Sequence, residues 1–128
     1  KPHLASGESF MGHWEVGDEN AYRYFIHIES WGKCTRIKYN LDEGLLNVNG
    51  RWTLIKDGLQ ITFNDGYKDT IRLTEKGIEK ATFAPESAIT GIPLSVSSAK
   101  KVHESTIQEW LELMRKQDEL ARKDQNTE

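Results

Sequence analysis

The chain of 128 residues is predicted to be an all-β protein, a closed antiparallel up-and-down barrel of about eight strands followed by one C-terminal α-helix. Three observations support this. Apolar and polar residues alternate through a series of short runs. Asp-Gly turn signals separate some of those runs. Gly12-His13-Trp14 near the start is echoed by Gly50-Arg51-Trp52. A glycine two residues before a strand tryptophan lets another backbone pass close by, and the indole fills the narrow end of a small barrel.

Strand-like runs fall at about 10–17, 21–29, 33–40, 45–56, 58–64, 67–74, 77–84 and 91–102. Asp57-Gly58 and Asp65-Gly66 signal tight hairpins, because both residue types tolerate the positive φ of such turns. Asn49-Gly50 resembles a third hairpin, but reading through it keeps Leu46, Val48, Gly50, Trp52 and Leu54 on one face. That parity predicts one long strand with a bulge at Gly50.

Period-2 reading then assigns the inner face. It takes Phe10, Gly12, Trp14 and Val16 from the first run, and Tyr22, Tyr24, Ile26 and Ile28 from the second. It continues with Ile37 and Tyr39, Leu59, Ile61 and Phe63, Asp69, Ile71 and Leu73, and finally Leu94 and Val96. Arg23, Arg36, Gln60, Thr62 and Arg72 alternate with these and are expected outside. An open sheet with one wet face shows the same alternation but leaves two unprotected edges, which closure removes.

After Val102 the period changes. Ile107, Trp110, Leu111 and Met114 follow helical spacing, and Ser105 with Gln108, or Thr106 with Glu109, offers a capping box for a helix starting near residue 106. Glu112 to Lys116, Asp118 to Arg122 and Glu119 to Lys123 are i,i+4 pairs on its surface. Asp118 interrupts the apolar stripe, so docking is expected through the turns up to Met114. The chain thus reads as an arm (1–9), a barrel (10–103), a helix belonging to the same domain (104–124) and a disordered tail (125–128).

Composition narrows the possible functions. With 37% hydrophobic residues the chain can bury a core within a single domain. The whole net charge of -3 lies after His103, where seven acids face four bases. No concentrated basic patch points to nucleic acid or an anionic membrane, and no apolar run is long enough for a membrane span. The amino end lacks the apolar core of a signal peptide. The single cysteine excludes an intrachain disulfide and a Cys-rich zinc site. Cys34 shares parity with Arg36 and Lys38, so it is expected to point outward, where those cations lower its pKa. His13 and His27 are also expected outside and lack the further ligands that zinc or iron requires. With no phosphate loop, nucleophile elbow or interpretable Ser/His/Asp pattern, neither an enzyme, nor a metal site, nor a cofactor is expected.

The Gly-x-Trp of the first strand, the up-and-down barrel and the helix after the last strand together resemble the lipocalins, and in particular bacterial lipocalin-like, or calycin-like, domains. The resemblance covers nearly the whole chain. It implies a basic side chain from the last strand covering the first-strand tryptophan, a role that falls to Lys100, on the Leu94/Val96 parity, so that Gly12, Trp14 and Lys100 form the barrel floor. It further implies a secreted or periplasmic protein whose signal has been removed, acting as a carrier or sensor for a small, largely apolar ligand. The lipocalin disulfide is impossible here, the loops are unusually short, and the family's second turn motif is not recognisable.

Tyr22, Tyr24, Tyr39, Trp52, Phe63 and the inward Asp69 are the candidate ligand-lining residues, aromatics supplying surface and hydroxyl or carboxylate groups orienting the ligand. Asp69 either binds a polar group or sits at the rim near water or a lysine. Eight strands leave an interior that is just filled or holds one small ligand. With a filled barrel, the alternative is a protein-binding or inhibitor module that uses the rim and the acidic helix.

Overall fold

In the computed structural model, which describes residues 10–17, 23–40 and 42–126, the alternating runs become eight strands. These are β1 (Gly12–Val16), β2 (Tyr24–Ile28), β3 (Lys33–Asn40), β4 (Gly44–Ile55), β5 (Gly58–Phe63), β6 (Lys68–Thr74), β7 (Gly77–Phe83) and β8 (Ser95–Val102), followed by α1 (Glu104–Asn126). Each strand pairs antiparallel with the next, and β1 closes on β8 through the register His13 opposite Val102 to Val16 opposite Ala99. Closure gives each strand a neighbour on both sides, although residues 44–49 of β4 extend past β5 and pair with β3 alone. The last strand starts later than its pattern suggests because Pro93 has no N–H to donate and residues 84–91 close two turns, Ser87 N–H to Ala84 O and Gly91 N–H to Ala88 O.

The main core fills the barrel from one end. Trp14, Val16, Ile26, Ile28, Leu59, Ile61, Phe63 and Ile71 meet there, with Phe10 beneath them in the turn before β1. The Trp14 indole N–H donates to the Phe10 carbonyl at 2.8 Å, so the buried indole has no unpaired donor. The cation over Trp14 is Lys101, not Lys100. Lys101 lies opposite Trp14 in the ladder and its Nζ stands 5.8 Å from the ring centroid. Lys100 lies opposite Glu15 on the outer face. The inner parity of β8 is therefore shifted by one from the expectation, and Leu94 and Val96 are 62% and 55% exposed. Gly12 has φ +116°, and a β-carbon there would stand 3.2 Å from Lys101 Cε. It is the lysine side chain, not a passing backbone, that approaches closely.

β4 is one continuous strand through Asn49-Gly50, as the parity predicts, but without a bulge. Its register runs unbroken on both sides, with Gly50 opposite Cys34 and Phe63. Glycine is needed there because a β-carbon would lie 2.7 Å from the Thr62 carbonyl oxygen and 3.0 Å from the Phe63 ring.

A second apolar cluster forms outside the barrel, where α1 docks. Ile107 and Trp110 bury against Phe25 of β2, with Ile37, Tyr39, Val102, Leu111 and Met114 around them. Trp110 meets Phe25 edge-on at 5.0 Å between centroids and Tyr39 at 6.5 Å. Each fully buried side chain of this size contributes about 1.5–3 kcal/mol. Docking continues one turn beyond Met114, because the Tyr39 hydroxyl donates to the Asp118 carboxylate at 2.9 Å, which also accepts from Arg122. α1 starts two residues before the expected site. The side chain of His103 is its cap, with Nδ1 accepting the Ser105 N–H at 3.1 Å. Glu112 pairs with Arg115 rather than Lys116.

Two substitutions test this packing. Gly50→Ala should lower the unfolding free energy by about 3 kcal/mol, the cost of forcing a methyl into closed backbone, whereas Arg51→Ala on the exposed face should stay within about 0.5 kcal/mol; urea titration reads both. Trp110→Ala should cost about 3–5 kcal/mol in the same assay. A loss below about 1 kcal/mol would show that the helix is not integral to the barrel.

Candidate functional site

The chain direction alternates from strand to strand, so one rim collects the end of β1, the start of β2, the end of β3, the β5–β6 turn, the end of β7 and the start of β8. At this rim, opposite the Phe10 and Trp14 floor, a cavity of about 550 Å3 opens. β3 contributes Arg36 and Lys38, and β7 contributes Lys80 and Thr82. Tyr24, Asp65, Tyr67, Asp69, Gly17 and residues 95–97 complete the wall.

The polar wall is tightly connected. Asp69, 1% exposed, accepts the Tyr24 hydroxyl at 2.9 Å and the Thr82 hydroxyl at 2.7 Å. Thr82 in turn accepts from Lys80 Nζ at 2.9 Å, and Lys80 also donates to Ser95 at 3.2 Å. Burial raises the Asp69 pKa above the ordinary carboxylate range, against the pull of the Thr82 hydrogen bond and the Lys80 charge. Burial, then the Asp69 charge, also pushes the Tyr24 phenol well up, keeping it a hydroxyl donor at neutral pH.

The cations are held by other means. Arg36 donates to Asp65, and its guanidinium lies 4.6 Å over the Phe63 ring. Partial burial of Asp65 opposes ionisation but is outweighed by hydrogen bonds from Arg36 and the Tyr67 backbone, so its pKa falls. The ammonium groups of Lys38 and Lys80 stand 4.9 and 5.4 Å from the Tyr24 ring centroid. Burial lowers the pKa of both, with Arg36 adding to the effect on Lys38 and Lys38 to that on Lys80, while Asp69 opposes it. Across the mouth, Lys68 Nζ donates to the carbonyls of Ala84, Pro85 and Ser87 at 2.8–3.3 Å and so ties the β7–β8 connection to the rim.

Of the residues singled out from sequence, Tyr24 and Asp69 meet in this wall. Asp69 faces inward as its parity predicts, and it is buried against hydroxyl donors rather than set in water at the rim. Phe63 is inside but lies under Arg36 and is not part of the lining. Tyr39 is outside the barrel, against α1. Trp52 is at the closed end, where its indole donates to the Glu29 carbonyl at 2.7 Å and its backbone N–H to Gly32. Tyr22 lies outside the described residues.

Arg36, Lys38, Asp65, Lys80 and Thr82 were not anticipated. For β3 the signal was Phe25: if Tyr24, Ile26 and Ile28 face inward, this large apolar residue faces outward and needs a cover. Its ladder partner is Ile37, which directs Ile37 and Tyr39 outward and Cys34, Arg36 and Lys38 inward. Cys34 is accordingly 2% exposed. Burial, then the Asp69 charge, pushes its thiol up to about 12, the opposite of activation.

His13 and His27 do face outward, with rings stacked at 4.0 Å. Burial and then His27 lower the His13 pKa. Among the described residues no group of three or more His, Cys, Asp or Glu is placed to hold a metal ion, and no helix is long and apolar enough to cross a membrane.

No protein-family model, curated protein or solved structure matches this chain.

The raised pKa of Asp69 makes a signed prediction. A carboxyl that holds its proton more tightly folded than unfolded stabilises fully below its unfolded pKa, and that contribution is lost as pH rises through the folded value. The difference in Tm between the parent protein and Asp69→Asn should therefore be most favourable to the parent near pH 4, roughly the ordinary carboxylate value, and shrink at higher pH. Thermal melts followed by circular dichroism across that range check it, and a difference that grows with pH would contradict the assignment.

Proposed function

We propose that this protein is a non-enzymatic small-molecule binder, a carrier or sensor that takes its ligand into the open end of the barrel. The observation that carries the reading is the combination of a closed floor with an open cavity of about 550 Å3, within the usual range for ligand pockets. Polar groups converge on that cavity while the apolar core is confined to the other end, so ligand entry need not disturb the packing that holds the barrel together. The polar wall that Tyr24 and Asp69 help to build orients the polar part of the ligand, and Tyr67 gives it a flat surface at the rim.

The lipocalin-like resemblance supports the same reading, since it implies both the barrel with a C-terminal helix and interior ligand binding. Membership of that family, and a secreted or periplasmic setting, are part of the proposal. The polar wall shifts the expected ligand away from a largely apolar one. β3 turns Arg36 and Lys38, not Ile37 and Tyr39, toward the interior, and an apolar body alone leaves those cations desolvated without compensation. A role for α1 as a protein-binding surface has less support, because Ile107, Trp110, Leu111 and Met114 already pack on the barrel, leaving only Leu113 and Leu120 exposed among the large apolar residues of the helix.

Native mass spectrometry of the protein purified from its natural source tests the reading. The expected result is a species heavier than the chain by the mass of one small molecule, released on mild activation. If only the bare chain is seen, and a broad library of small molecules leaves its Tm unmoved, the proposal fails.

A further inference from the structure

The cavity has more positive charge than its own carboxylates compensate. Three cations, Arg36, Lys38 and Lys80, line it against two carboxylates, Asp65 and Asp69. Asp65 pairs with Arg36 and with a backbone N–H. Asp69 accepts its hydrogen bonds from two neutral hydroxyls. Lys80 reaches Asp69 only through Thr82. Among the described residues, Lys38 donates no hydrogen bond; its ammonium stands over the Tyr24 ring, and the charges of Asp69 and Asp65 act on it without forming an ion pair. Among the described residues, the Nε–H of Arg36, a residue 9% exposed, is buried with no partner. A buried donor without an acceptor is destabilising. Two cationic groups in one cavity with unfilled donor capacity therefore call for an acceptor carrying negative charge.

We propose that the ligand is an organic oxyanion, a carboxylate or a phosphate, whose charged group sits between Arg36, Lys38 and Lys80 while its body fills the rest of the cavity toward Tyr67. This rests on the barrel interior being the binding site. An oxyanion offers several lone pairs to N–H donors converging from two strands, and charge-assisted bonds of this kind are about twice as strong as neutral ones. It also adds to the partial compensation from Asp69, since burial, with Arg36 acting on Lys38 and Lys38 on Lys80, weakens the hold of both lysines on their protons. A cationic ligand meets the opposite balance.

Isothermal titration with four probes that share a phenyl ring, benzoate, phenyl phosphate, benzyl alcohol and benzylamine, tests the assignment and separates carboxylate from phosphate. At least one anion should bind about tenfold or more tightly than benzyl alcohol, consistent with a charge-assisted bond. Lys38→Gln, which removes a charge without removing a hydrogen bond, should weaken that anion about tenfold, and Lys100→Gln on the outer face should leave it unchanged. Circular dichroism melts confirm that both variants fold. If benzyl alcohol or benzylamine binds as tightly as the anions, the oxyanion assignment falls while the barrel remains a binding site. Anion binding indifferent to Lys38→Gln places the charge elsewhere and also overturns it. If no probe binds at millimolar concentration, the oxyanion inference falls, while the binding role stands or falls by native mass spectrometry and the small-molecule library.

Discussion

The apolar contact between α1 and the outer wall of β2 and β3 governs what the inside of the barrel contains. Phe25 and Ile37 are ladder partners, and Trp110 closes over Phe25 and Tyr39. A strand has two faces and its side chains alternate between them. Once Ile37 and Tyr39 are committed to the helix, Cys34, Arg36 and Lys38 have nowhere to go but inward. A packing event outside the barrel thus sets the electrostatics within it.

The interior accommodates these charges by grading them along the barrel axis. At the floor, Phe10, Trp14 and the aliphatic residues of β2, β5 and β6 form an apolar core in which the Trp14 indole N–H is satisfied locally. Higher up, Arg36 rests on Phe63, and Lys38 and Lys80 lie against Tyr24, so aromatic faces separate the cations from the aliphatic core. At the top, hydroxyls of Tyr24, Thr82 and Ser95 bring Asp69 and Lys80 into one hydrogen-bonded chain. Such a network is stable only while each member is satisfied. The unpaired donors of Arg36 and Lys38 mark where it is incomplete.

Two lysines of the last strand show how finely register decides structural role. Lys100 and Lys101 are adjacent, equally charged and both exposed at the surface of β8. Only Lys101 lies opposite Trp14, and only its alkyl chain passes over Gly12 to reach the indole. Shifting the strand by one residue exchanges their roles and turns every neighbour to the other face.

Much of the architecture was legible in the sequence. The strand runs, the Asp-Gly turns, the continuity of β4 through Asn49-Gly50, the closure and the helix all follow from local rules: period-2 alternation, turn chemistry, and the switch to helical spacing after Val102. Trp14 as floor, and Tyr24 and Asp69 as inward-facing residues, follow from the same alternation. The orientation of β3 does not. Cys34, Arg36 and Lys38 alternate with Ile37 and Tyr39, and hydrophobicity alone assigns the apolar set to the barrel. On β8, Leu94 and Val96 mislead in the same way, although their exposure is explained by no covering element. What local alternation determines is that a strand has two faces. Which face is inside depends on what packs against the other, and for β3 that partner is a helix about 70 residues further along the chain, whose docking only the tertiary structure decides.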